Sequence, residues 1–218
     1  MSGDESTDDG YGDDEGDGNR ADDEGTDNRA SDNGEDARDL AWETLGGQTV
    51  YTCEGFDVVN EDVQFPDDTI GAYDYVVEGE SVVVLPFTRE GEVVVIDEWR
   101  HPVRRVNRGL PAGGVEADDA SPEDAVAREL EEETGYEAGP VDHLTTVEPA
   151  NGLLDSEFHY FLARDCTPTG SQNLDYNEDI RVDTTTFEEL LEAAREDELR
   201  DGRSMLGVLY YQLFGRKE

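Results

Sequence analysis

Apolar and polar positions change rhythm along the chain. Residues 1–38 contain almost no large apolar side chain, so neither a helical nor a strand face can form there. From about Thr49 the β-branched and aromatic content rises. "YDYVVEG" (73–79) and "SVVVLPF" (81–87) read as strands. The run 81–100, "SVVVLPFTREGEVVVIDEWR", is two β-rich segments joined by "TREG" and predicts a hairpin. "NRGLPAGGVEADDA" (107–120) is punctuated by Gly and Pro and predicts a loop. Ser121 as N-cap, Pro122 at the first helical position and Asp124 three residues after Ser121 in a capping-box-like place predict a helix. It should run from Pro122 to about Thr134 and stop at Gly135. Strands are expected around Asp142–Val147, Phe158–Ala163 and Ile180–Thr184. A helix is expected over "TFEELLEAAREDE" (186–198), and a last, largely buried helix over "MLGVLYYQLF" (205–214). Strands then helix, repeated, point to a layered domain of α+β or α/β type.

The predicted helix 122–134 carries a charge pattern that needs explaining. "RELEEETGY" (128–136) places four glutamates in five positions of a chain whose net charge is already −41. Like charges about 4 Å apart repel by roughly 1 kcal/mol each in water, and by about 4 kcal/mol at an effective dielectric of 20. On a helix, Glu129, Glu132 and Glu133 share a sector, Val126 and Leu130 lie beside it facing the core, and Glu131 points elsewhere. The spacing by itself favours a solvated acidic face, since such faces are common on helices, and it also suits a site for a hard divalent cation such as Mg²⁺.

Charge and composition narrow the possibilities. Residues 1–38 hold 15 acidic and three basic residues and are expected to be a disordered acidic tail, leaving residues 39–218 as one domain with a charge of −29. Lys217 is the single lysine. An acidic body nearly free of lysine is similar to the proteins of salt-in halophiles, whose self-repulsion is screened by concentrated salt. The charge disfavours nucleic acid and anionic membranes as partners. No basic and apolar leader opens the chain, and the longest apolar runs are far too short to span a bilayer. Cys53 and Cys166 fit no metal or redox spacing, and reduced thiols in a cytoplasmic protein are expected. His101, His143 and His159 fit no zinc motif and are expected to be structural.

"GGVEADDASPEDAVARELEEETGY" resembles the Nudix box, G-x5-E-x7-R-E-U-x-E-E-x-G-U, where U is bulky and aliphatic. The match is complete from Arg128 to Gly135, and Tyr136 stands at the final U. Two alignments of the start are open: Gly114 with Ala120 at the first glutamate, or Gly113 with Asp119 there after one inserted residue. "LPAG" (110–113) favours the second. It resembles the ADP-ribose (ADP-sugar) pyrophosphatase subfamily, as do "SVVVLPFTREGEVVVIDEWRHP", "NEDIRV" (177–182) and the C-terminal helices. Gly109 is a departure, since many members have Glu before "LPAG".

The resemblance implies an α+β fold of Nudix type, with a mixed β-sheet sandwiched between helices. It also implies hydrolysis of ADP-ribose to AMP and ribose 5-phosphate, a small-molecule nucleotide substrate, Mg²⁺ or Mn²⁺, and a homodimer. Glu129, Glu132 and Glu133, with the backbone carbonyl of Ala112, fall on its metal ligands. Arg128 falls on the arginine that locks the glutamates, and Arg100 on a substrate-binding arginine. Glu178 falls on a carboxylate that serves catalysis and metal binding, and Asp179 is its nearest rival. Other nucleoside diphosphate derivatives remain open as substrates, as does a silent nucleotide-binding module. The intact Arg-Glu…Glu-Glu set argues against silence.

Overall fold

The computed structural model describes residues 40–174, 176 and 178–215. The expected acidic tail lies outside them, apart from which every predicted strand and helix has a counterpart. In chain order the strands begin with β1 (Glu43–Thr52), β2 (Asp57–Gln64), β3 (Ile70–Val77), β4 (Ser81–Thr88), β5 (Val93–Arg100), β6 (Arg105–Gly109) and β7 (Ala112–Gly114). Helix α1 (Pro122–Thr134) follows, then β8 (Tyr136–Glu137), β9 (Val141–Val147), β10 (Leu154–Asp155), β11 (Phe158–Pro168) and β12 (Ile180–Thr185). Helices α2 (Phe187–Arg195) and α3 (Gly202–Tyr210) close the fold, the latter continuing into a π-helical turn, Tyr211–Gly215.

The predicted hairpin 81–100 forms, and its two arms diverge. Gly91 turns the chain at φ 84°, a conformation that favours glycine. Beyond the turn, β4 and β5 share one residue pair, Phe87 with Val93. β4 then takes β7 antiparallel on one side and β11 parallel on the other, while β5 is flanked by β6 and β12. The "LPAG" region, expected to be loop, thus contributes β6 and β7. Their pairing satisfies backbone groups that Gly- and Pro-rich composition alone left unassigned.

β4 explains the layering. Val82 and Val84 pack with Ala125, Val126 and Leu130 of α1, while Val83 and Leu85 face Leu190, Leu199 and Val208 on the opposite side. A strand buried on both faces reads as a continuous apolar run, as "VVVL" does. Val126 and Leu130 are fully buried, and each such side chain contributes about 1.5–3 kcal/mol. This is the expected mixed sheet between helices.

Two expectations need correction. Ser121 occupies the N-cap position but its side chain caps nothing; the turn is closed by the Asp124 amide donating to the Ser121 carbonyl at 3.0 Å. α2, by contrast, has a full capping box between Thr186 and Glu189. The last helix is not largely buried. Ser204, Gly207 and Val208 face the sheet, while Leu206, Leu209, Leu213 and Phe214 are exposed, because only one stripe of the helix meets the sheet. Strands β1–β3 form a separate antiparallel sheet, extended by β10, in which Val63 is buried and every residue of β1 is exposed.

Candidate active site

The site grows from the contact between α1 and β7. α1 ends at Gly135, whose φ of 68° and whose backbone N–H, donating to the Glu131 carbonyl at 2.8 Å, close the helix. Its inward face delivers Glu133 beneath β7, where the Ala112 amide donates to Glu133 Oε2 at 3.0 Å. Glu129, one turn earlier, lies under Gly113. A side chain at Gly113 would overlap the Glu129 carboxylate, whereas one at Gly114 would meet nothing within 4 Å. Gly113 is therefore the position where the backbone lies directly against the Glu129 carboxylate.

Arg128 organises the acidic face. It donates through Nη1 to Glu129 at 2.8 Å and to Glu132 at 3.3 Å, and through Nη2 to the Gly114 carbonyl at 2.7 Å and to Asp119 at 2.8 Å. Asp119 is thus the carboxylate gripped by the box arginine. Together with the close approach at Gly113, it belongs with the alignment that starts at Gly113. Glu132 stands at the rim, its side chain 38% exposed, and Glu131 points to solvent.

Burial gives the two inner glutamates their chemistry. Desolvation pushes Glu133 up to about 8, opposed by the Ala112 amide and reinforced by the charges of Glu129, Glu178 and Glu98. Desolvation also pushes Glu129 up to about 7, with Arg128 pulling down and Glu132 and Glu178 pushing up. These carboxylates raise one another electrostatically, with Arg128 as the cation bonded to Glu129, and carboxylates are the oxygen donors that a hard divalent cation takes. Glu178 is half-buried and reaches all of this group electrostatically. Asp179 is exposed.

Arg100 ends β5 and pairs with Glu98 at 2.7 Å. Sequence reasoning missed Glu98. It is 8% exposed and its carboxyl is raised by burial, with Arg100 and Arg203 pulling down and Glu178 and Asp201 adding to the rise. Its spacing of two from Arg100, on the same strand face, was the available signal. The structure also explains Gly109. A side chain there would sit 2.8 Å from Ser204 Oγ and 3.4 Å from Asp201 Oδ2. Ser204, fully buried, accepts from the Leu110 amide at 2.8 Å and donates to Asp201 at 2.5 Å. The segment Leu110–Ala112 is therefore held at one end by α3 and at the other by Glu133.

The family model of the NUDIX domain matches residues 78–205, from the end of β3 into α3. The chain belongs to the Nudix family. The ADP-ribose pyrophosphatase of Bacillus subtilis (strain 168) is 29% identical over 177 residues, covering 81% of this chain and 95% of that protein. The ADP-ribose pyrophosphatase of Mycobacterium tuberculosis is 24% identical over 77% of this chain and 82% of that protein. A GDP-mannose pyrophosphatase of Klebsiella pneumoniae is 28% identical over 63% of this chain and 73% of its own length. A solved structure of an ADP compounds hydrolase shares the fold, with a TM-score of 0.70 and 19% identity over 79% of this chain and 93% of that one. This Nudix protein is a pyrophosphohydrolase of the ADP-ribose pyrophosphatase-like subfamily.

Proposed function

We propose that this Nudix hydrolase cleaves the diphosphate bond of ADP-ribose, adding water to give AMP and ribose 5-phosphate, with Mg²⁺ as its ion and Mn²⁺ as a substitute. The observation that carries the reading is the inner pair of half-buried Glu129 and buried Glu133, with Glu178 acting on both and Arg128 as the cation bonded to Glu129. Glu129, Glu132 and Glu133, with Glu178 and the Ala112 carbonyl, would hold the ion. When bound, it neutralises the diphosphate and lowers the pKa of the attacking water. Arg128 keeps Glu129 and Glu132 in one orientation. Arg100 binds a phosphate oxygen, held in place by Glu98. Glu178 accepts the proton of the water as it attacks phosphorus.

A second reading, another sugar nucleotide as substrate, is favoured by similarity to the GDP-mannose enzymes. Incubation with ADP-ribose or GDP-mannose and Mg²⁺, followed by chromatography, separates the two. AMP with ribose 5-phosphate supports the first reading; turnover of GDP-mannose alone replaces it; no product from either removes both.

We further propose residues 39–218 as the hydrolase domain, residues 1–38 as an appended acidic tail, and a cytoplasmic setting in which Cys53 and Cys166 stay reduced, as both are free thiols. Among the described residues no helix is long and apolar enough to cross a membrane. A homodimer joined through the β1–β3 sheet is supported by its exposed Leu45, Val50, Tyr51 and Ile70, and light scattering tests it.

A further inference from the structure

Away from the box, the parallel pair β4 and β11 begins with three side chains that converge. Glu80 precedes β4, Glu157 precedes β11, and His159 is the second residue of β11. One ligand atom from each lies within 4.8 Å of the others. A divalent ion with ligands at about 2.0–2.2 Å needs them about 3–4 Å apart. Both glutamates are exposed and can close the difference, while His159, its side chain 13% exposed, is fixed. Both glutamates also line an open cavity of about 810 Å³ with Tyr73 and Tyr75, which gives an ion a path of entry.

The histidine is aimed from behind. Nε2 of His159 faces Glu80 Oε2 at 3.1 Å, and its Nδ1 lies 2.9 Å from Thr146 Oγ1, which in turn lies 2.9 Å from His143 Nε2. This His–Thr–His line can carry its protons in two directions. In one, His143 donates to Thr146, Thr146 donates to His159 Nδ1, and His159 Nε2–H donates to Glu80. In the other, His159 Nδ1–H donates to Thr146 and Thr146 donates to His143 Nε2, which leaves His159 Nε2 as a bare lone pair between two carboxylates. The second arrangement is that of a metal-binding histidine, whose other nitrogen donates to a fixed acceptor.

We propose that Glu80, Glu157 and His159 form a second divalent-cation site that shares no residue with the box carboxylates. One imidazole and two carboxylates suit Zn²⁺ or Mn²⁺ better than Mg²⁺, which prefers oxygen ligands alone. The strongly negative chain raises the local concentration of cations around it. Binding reverses the relay: the proton on His159 moves from Nε2 to Nδ1, and that on His143 from Nε2 to Nδ1. No proton is released by either ring. His143 therefore reports the ion without touching it.

Zn²⁺ alone is the probe, titrated into the full chain by calorimetry in excess Mg²⁺. One equivalent of Zn²⁺ should bind wild type and also the Glu129→Gln/Glu133→Gln variant. Affinity should fall at least about tenfold in Thr146→Val, as for other residues that orient a ligand, and further in His159→Gln. Nitrogen chemical shifts should show His143 exchanging its Nε2 proton for Nδ1 as Zn²⁺ saturates. Equal affinity in wild type and folded His159→Gln overturns the site, and so does an unchanged His143 tautomer. Should His159→Gln fail to fold, the exposed pair Glu80→Gln/Glu157→Gln decides the same question.

Discussion

Glu133 concentrates the logic of the site in one side chain. It is 3% exposed, accepts from the Ala112 amide and is pushed up to about 8 by burial. Glu133→Gln keeps an oxygen for that amide and removes a charged ligand. Hydrolysis should nearly vanish while the circular dichroism spectrum is unchanged; activity within a few-fold of wild type at saturating Mg²⁺ would remove Glu133 from metal binding. Glu178→Gln should lower kcat by about 10²–10⁴, the range for loss of a general base. Asp179→Asn should cost much less, because Asp179 is exposed whereas Glu178 is half-buried and acts on the inner carboxylates. A large loss at Asp179 alone would move the role by one residue. Ser204 offers a different kind of test. Ser204→Ala leaves the buried Leu110 amide without its acceptor, which should destabilise the protein by about 1–3 kcal/mol in denaturant titrations. An unchanged midpoint would mean that the loop relaxes and Ser204 is no clamp.

Helix α1 couples folding to ionisation through two of its residues. Glu129 and Glu133 rise to about 7 and about 8 from an ordinary value of 4.5, so the folded state binds their protons more tightly than the unfolded state does. Their contribution to stability is complete below about pH 4.5 and is lost as pH rises through about 8. Metal-free protein should therefore lose thermal stability between those limits, and Mg²⁺ should restore most of it at the alkaline end. A metal-free melting temperature that climbs across the same window would contradict the burial of this pair. The helix could be located in sequence because Pro122, the apolar spacing of Val126 and Leu130, and Gly135 agree on one element. β6 and β7 could not, because such short strands in a Gly/Pro-rich stretch owe their existence to the strands they pair with, β6 to the adjacent β5 and β7 to the more remote β4.

For the molecule as a whole, charge is the dominant long-range term. A body of −29 repels itself wherever screening is weak, so its melting temperature should rise between about 0.1 M and about 2 M salt. An unchanged melting temperature would show that the surface acids are spaced or paired well enough to need no screening. The local patterns already specified much of the layered fold and the acidic sector of α1. Strand alternation, helix spacing and terminal residues are short-range properties written into consecutive positions. Three matters had to wait for the assembled chain. The choice of Gly113 as the tight glycine rests on where α1 lies beneath β7. The tolerance of glycine at position 109 rests on Ser204 and Asp201, more than ninety residues away. The reach of Glu178 and Glu98 into the carboxylate group rests on β5, β12 and α1 meeting at one end of the sheet. Each depends on the distance between segments remote in sequence, which packing and desolvation set and no run of neighbouring residues encodes.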